Sequence, residues 1–202
     1  MSLRVIGGIA KGKRLKSRNV KHLRPGTDYV KEALFNILML KVPGSYFLDL
    51  YAGSGSIGIE ALSRGAAKAC FVERDPFNAA LIRENLAITG FINQAEIYTC
   101  DVNKALNLLS HKKDQFDLIF VDPPFRKGFI EPTLERIWDL DLLIPGGMII
   151  TRSAKKETIN AAKNPLRTEK YGDSILMFYS DHESYFTGKG GDNGDRSLPR
   201  QF

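Results

Sequence analysis

At 202 residues, 43% of them hydrophobic, the chain suits one ordinary domain that buries roughly 70% of the surface its unfolded form exposes, so no disulfide or metal staple is required. Two cysteines without metal-ligand spacing, no signal-peptide pattern and no apolar run of bilayer length exclude a disulfide scaffold and a membrane span, leaving a soluble, reduced, cytoplasmic protein as the expectation. The net charge of +6 is uneven: residues 1–31 hold nine Lys or Arg against Asp28 alone, a local +8 that leaves −2 for residues 32–202, and this predicts a polyanion-binding attachment on a near-neutral core.

The chain opens with Leu3 to Ile9 and Lys13 to Leu15 around a Gly- and Lys-containing turn, which predicts a short basic β-hairpin within an extension over residues 1–26. After Arg24-Pro25-Gly26, Thr27 stands as an N-cap for an amphipathic helix whose Val30, Ala33, Leu34, Ile37 and Leu38 follow helical spacing to about Lys41. The main domain is expected over residues 27–184. Tyr46 to Leu50 is its first strand, and Ile57, Ala61 and Leu62 open a helix beyond a glycine-rich turn. Ala69 to Glu73 is a second strand, and Asp75-Pro76 starts a helix that runs to Thr89 with Gly90 behind it. Ala95 to Cys100, Phe116 to Val121 and Gly147 to Thr151 follow as strands, separated by helices at Val102 to Ser110 and Thr133 to Leu140. Lys155 to Ala162 is a further candidate helix, and Leu166 to Tyr171 pairs with Ser174 to Ser180 across Gly172-Asp173. Strands alternating with helices predict an α/β fold with a mostly parallel sheet, right-handed crossovers and a ligand at the carboxyl ends of its strands. Residues 185–202 hold little to bury and read as a disordered tail.

The turn Gly53-Ser54-Gly55-Ser56-Ile57-Gly58 lets the backbone approach a ligand and points a helix amino terminus at it. Taken alone it could be a plain connector. It is accompanied by acidic residues at the ends of four successive strands: Asp49, Glu73, Asp101 and Asp122. Glu73 lies 20 residues beyond Gly53, where a carboxylate can accept hydrogen bonds from ribose hydroxyls. The glycine spacing also matches the dinucleotide fingerprint, so a nicotinamide-dependent oxidoreductase competes at this point. Asp49 weighs against it, since a carboxylate ahead of the glycines repels a pyrophosphate but attracts the ammonium and sulfonium of S-adenosylmethionine.

Asp122-Pro123-Pro124-Phe125 directly follows the fourth strand. Two prolines stiffen the loop and remove two donors, leaving carbonyls that only accept. A carboxylate and a carbonyl there can take both hydrogens of an exocyclic base amine and aim its lone pair at a methyl group, while Phe125 stacks on the base.

With Arg4-Val5-Ile6-Gly7-Gly8, Gly12-Lys13-Arg14-Leu15, Arg24-Pro25, Glu32 to Leu38, Asp49 to Leu62, Ser63-Arg64-Gly65-Ala66, Asp122 to Phe125 and Tyr171-Gly172 in place, the chain resembles class I S-adenosylmethionine-dependent methyltransferases. More narrowly it is similar to the RsmD family, which methylates the exocyclic N2 of one guanine, number 966, in bacterial 16S rRNA. The resemblance implies a Rossmann-like, seven-stranded sheet with an antiparallel last strand and the basic hairpin as an RNA-binding extension. It places Asp49, Gly53 and Gly55 on the methionine part of the cofactor, Glu73 on the ribose, Asp101 and Val102 on the adenine, and Asp122, Pro123, Pro124 and Phe125 on the target guanine. RNA contacts are expected from Arg4, Lys11, Lys13, Arg14, Arg24, Thr27, Lys31 and Arg126. It further implies direct methyl transfer without a metal, by a monomer, to 16S rRNA in an assembling small ribosomal subunit. Adenine-N6 methylation of DNA or RNA, and a non-catalytic RNA-binding protein that keeps a cofactor pocket, are the alternatives.

Overall fold

The computed structural model describes residues 3–18 and 27–181. A seven-stranded sheet runs through it in the order β3-β2-β1-β4-β5-β7-β6. Its strands are β1 (Tyr46–Leu50), β2 (Lys68–Val72), β3 (Ala95–Tyr98), β4 (Phe116–Val121), β5 (Leu143–Ala154), β6 (Arg167–Tyr171) and β7 (Ser174–Tyr179). The first five are mutually parallel, while β7 is antiparallel to both β5 and β6. The helices are α1 (Thr27–Ile37), α2 (Ser56–Ser63), α3 (Pro76–Thr89), α4 (Val102–His111) and α5 (Ile130–Asp139). Beside β1 the winding reverses, β2 going to one side and β4 to the other, which opens a crevice at the carboxyl ends of β1 and β4.

Alternation along the central strands fills two cores. Phe47, Phe71, Leu118 and Phe120 face α1, α2 and α3, whereas Leu48, Leu50, Val72, Ile119 and Val121 face α4 and α5. Caps fall where the sequence puts them. Asp75 accepts the Phe77 N–H at 2.9 Å ahead of Pro76, Gly90 closes α3 at φ 88°, and Asp101 accepts the Asn103 N–H at 2.8 Å to start α4.

Several boundaries differ from expectation. β3 stops at Tyr98, short of Cys100, and α5 starts at Ile130, because Pro132 is tolerated in a first turn whose N–H groups have no intrahelical partner. β5 begins at Leu143 rather than Gly147, with Pro145 accommodated where its register with β4 shifts. Lys155 to Ala162 forms no helix. Its Glu157 carboxylate instead accepts the backbone N–H groups of Arg126 and Ala154, at 2.9 and 3.2 Å, tying the segment to the loop after β4.

The amino-terminal hairpin forms with a single antiparallel bridge between Arg4 and Arg14, flanked by Val5 N–H to Lys13 O (3.0 Å) and Leu15 N–H to Leu3 O (2.8 Å). It is built into the domain. Leu3, Val5, Ala10 and Leu15 are buried in the same core as α1 and α2. Glu60 of α2 accepts the N–H of Ile6 at 2.9 Å and of Gly7 at 2.7 Å, and Ser63 Oγ accepts the Ala10 N–H at 2.9 Å. At Gly8, with φ 74°, a Cβ would lie 1.7 Å from the Ser63 carbonyl oxygen, so only glycine lets the hairpin sit this close.

The expected Arg24, the end of the extension at 26, the boundary at 184 and the tail over 185–202 lie outside the described residues. Thr27 is the first residue of α1 rather than a cap before it, and its side chain is likewise outside them. No described helix is long and apolar enough to cross a membrane.

Candidate active site

The turn after β1 is held by side chains from three directions. Tyr51 leaves the strand with a left-handed φ of 62°, a conformation uncommon for a bulky residue and concentrated at functional sites. Gly55 then caps α2 at φ 77°, and Gly58 packs so tightly that a Cβ would meet the Phe71 ring at 2.3 Å. Asp49 reaches under the turn to accept the Gly58 N–H at 2.9 Å. Glu73, at the end of β2, accepts the Gly53 N–H with one oxygen and the Asp75 N–H with the other, both at 2.8 Å. From α3, the buried Asn85 donates to the Ser54 carbonyl at 2.9 Å.

Asp49 is only 2% exposed. Burial pushes its carboxyl well above the usual carboxylate range, the charges of Asp122 and Glu73 push the same way, and only the Gly58 N–H opposes them. Among the described residues no cation pairs with it within salt-bridge distance. The turn therefore rests on a buried acid whose ionised form a cationic ligand would favour.

In front of the turn lies a cleft of about 570 Å³. Glu73, Asp101, Val102, Asp122 and Phe125 line it together with the two prolines, so residues from the ends of β2, β3 and β4 meet in one cavity. Asp49, Gly53 and Gly55 are not on its wall; they shape the turn behind it. The wall also holds residues not predicted from the sequence, Arg74, Asn78 and Asn103 among them, and two of these, Tyr51 and Arg152, make contacts that shape the cleft. Tyr51 stacks on Phe129 at 6.2 Å, and its hydroxyl shares a 2.9 Å hydrogen bond with Thr133. Arg152 of β5 pairs with Asp122 at 3.3 Å. A lone charge at the end of the apolar run Met148 to Thr151 is the signal that could have found it.

The residues expected to contact RNA separate into two groups. Arg4, Lys11, Arg14 and Arg126 are exposed. Lys13 is exposed as well, but its ammonium donates to the carbonyls of Ile88 and Thr89, at 3.1 and 3.2 Å, where it caps the carboxyl end of α3. Lys31 is a correction. It is 1% exposed, donates to the Arg4 carbonyl at 2.6 Å and sits 3.3 Å from Glu60, so its charge faces the core and not a phosphate. Burial lowers the Lys31 pKa, and Glu60 acts against that. Beyond the hairpin, Lys16 exchanges backbone hydrogen bonds with Asn85, and Arg18 pairs with Asp75 at 2.8 Å on the cleft rim. The basic segment thus runs from the hairpin to the edge of the cavity.

A family model described as Conserved hypothetical protein 95 matches residues 3–180. The chain is 36% identical to the ribosomal RNA small subunit methyltransferase D of Haemophilus influenzae, over 80% of its own length and 84% of that protein. To the protein of the same name from Escherichia coli K12 it is also 36% identical, covering 75% of this chain and 74% of the other. The solved structure of the yhhF protein of Escherichia coli superposes with a TM-score of 0.75 at 34% identity, covering 89% of this chain and 97% of that one. With the strand order described above, these matches make the fold the Rossmann-like class I methyltransferase fold. The chain belongs to the Conserved hypothetical protein 95 family, the RsmD family that its motifs resemble.

Proposed function

We propose that this protein is an S-adenosylmethionine-dependent rRNA methyltransferase that modifies the exocyclic N2 of a guanine in 16S rRNA, guanine 966 by family resemblance. The observation that carries the reading is the opening of Asp122-Pro123-Pro124-Phe125 into the same cleft as Glu73, Asp101 and Val102. An acceptor for ribose and an acceptor for a base amine thus share one cavity.

The residues present suit the cofactor. Glu73 spends one hydrogen bond per carboxylate oxygen on the backbone, and each oxygen retains capacity for a ribose hydroxyl. Asp101 and Val102 offer a wall for the adenine, and the buried Asp49, on ionising, would set beneath the turn a negative charge that suits an ammonium and a sulfonium and disfavours a pyrophosphate. When bound, S-adenosylmethionine supplies an electrophilic methyl carbon. The Asp122 carboxylate and the Pro123 carbonyl accept the two hydrogens of the amine, so its lone pair turns away from the ring and into the cleft. Phe125 stacks on the base. Orientation and proximity then supply most of the acceleration.

Exposed Lys11, Arg14 and Arg126 take phosphates, with the substrate met as a monomer in an assembling small subunit. The test is methyl transfer from labelled cofactor to unmodified 16S rRNA, naked and in small subunits, with mass analysis of the nucleosides. N2-methylguanosine, formed more readily on the subunit particle, is expected. N6-methyladenosine would move the reading to the adenine alternative, and no transfer to either substrate would refute it.

A further inference from the structure

Arg152 is a charged wall residue that cofactor binding leaves without a role and that stands directly against the proline loop. It follows the buried Ile149, Ile150 and Thr151 in β5, and its side chain is 14% exposed. Its Nε and Nη2 both donate to Ser174 Oγ, at 3.2 and 3.1 Å, and Nη1 donates to Asp122 Oδ2 at 3.3 Å. Its guanidinium carbon lies 5.8 Å from the Phe125 ring centre. A guanidinium carries five N–H donors. Three are used here, which leaves one on each terminal nitrogen among the described residues. A fork clamped by Ser174 on one edge and by a carboxylate on the other presents donors at fixed places, not a mobile charge.

We propose that Arg152 donates to O6 of the target guanine and makes the base slot selective for guanine over adenine; this rests on the guanine-N2 reading above. Along its edge guanine presents the N2 amine, then N1–H, then O6: donor, donor, acceptor. Pro123 is joined to Asp122 by the chain and Asp122 to Arg152 by the ion pair, and on this proposal the three offer acceptor, acceptor, donor to that edge. The Asp122 carboxylate takes one amine hydrogen and N1–H, the Pro123 carbonyl takes the other amine hydrogen, and O6 falls on the arginine side. Adenine held by its N6 amine would turn the N1 lone pair toward the carboxylate and C2–H toward Arg152. One contact becomes repulsive and the other is unmade, the situation in which a site built for hydrogen bonding discriminates strongly.

The test crosses a substrate change with a protein change. Small subunits are prepared with guanine or 2-aminopurine at the target position; the analogue keeps the N2 amine and lacks O6 and N1–H. kcat/KM is measured for the wild type, Arg152→Ala and Arg152→Gln, with cofactor affinity by calorimetry as the check on folding. The wild type should prefer guanine by on the order of 100-fold, as expected when charge-assisted hydrogen bonds are lost. In Arg152→Ala that preference should shrink at least tenfold, with cofactor affinity unchanged and Arg152→Gln in between. A residue that merely supports Asp122 would slow both substrates alike, so a guanine preference preserved in either folded variant overturns the proposal. Wild-type product is identified first by nucleoside mass: N6-methyladenosine would remove the guanine reading and this proposal with it, whereas N2-methylguanosine with an unchanged preference would remove this proposal alone.

Discussion

Two buried carboxylates meet helix α2, Glu60 from within it and Asp49 from the end of β1, and the two are treated in opposite ways. Glu60 lies 3.3 Å from the Lys31 ammonium and 2.9 Å from Arg64 Nε, and it also takes the Ile6 and Gly7 N–H groups. Asp49, reaching α2 at Gly58, has one backbone N–H, and burial first, then two acidic neighbours, raise its pKa. A buried acid with cations supplied by the chain is a structural joint, and here it binds the hairpin to the domain. A buried acid without them is, on the proposed reading, a seat for a cation from outside.

The largest effect should come from breaking the matched pair. Lys31→Ala leaves Glu60 buried beside Arg64 alone and should cost about 3 to 5 kcal/mol of folding stability, as loss of one partner of a buried pair does. Chemical denaturation measures it, and a loss under about 1 kcal/mol, the range of exposed pairs, would deny Lys31 its structural role. Asp122→Ala should leave stability and cofactor affinity nearly intact but lower turnover on the order of 100- to 1,000-fold, by analogy with removing one preorganised group from a reacting centre. Single-turnover transfer to small subunits is the measurement, and near-normal rates would remove Asp122 from the chemistry.

Glu73→Ala should weaken cofactor binding by tenfold or more, since hydrogen bonds to a charged group are worth about 1.5 to 3 kcal/mol. Unchanged affinity in calorimetry would exclude it from the site.

Asp49 should show itself through pH. Its folded pKa is raised, so the folded protein holds a proton that the unfolded chain has released; this stability is present below the ordinary carboxylate pKa and is lost as pH rises through the raised value. Only the ionised form favours a cationic ligand, so cofactor affinity should climb with pH across that same window. Asp49→Asn should flatten both dependences. A pH slope that survives in the variant would assign the titration to another group.

The smallest effect concerns the hairpin. Replacing Lys11 and Arg14 by Gln should lower the slope of log RNA affinity against log salt by about 1.4, at about 0.7 for each single-strand phosphate contact. Lys13 is left in place because it caps α3.

How much of this was legible follows from the range of each interaction. Strand and helix order, the cap at Asp75, the glycine turn and the proline loop are local patterns, and each lies where its residues predict. Lys31 was misplaced because a charge count does not see burial. Yet it falls on the stripe Val30, Lys31, Leu34 and Phe35 that α1 turns to the core, continued by Leu38 just beyond its end, while Ala33 and Ile37, expected there, are half-buried. The hairpin looked like an attachment because its anchors, Glu60, Ser63 and Asn85, are more than 50 residues away in the chain. Arg152 finds Asp122 and Ser174 at separations of 30 and 22 residues, through the pairing of β5 with β4 and with β7 that no local pattern announces.

The most direct measurement of the central claim is a crystal structure with S-adenosylhomocysteine bound. The ribose hydroxyls should meet Glu73, the amino-acid end should lie against the turn that Asp49 supports, and the sulfur should face Asp122 to Phe125. A ligand seated elsewhere, or one whose sulfur points away from the proline loop, would contradict the assignment of this cleft.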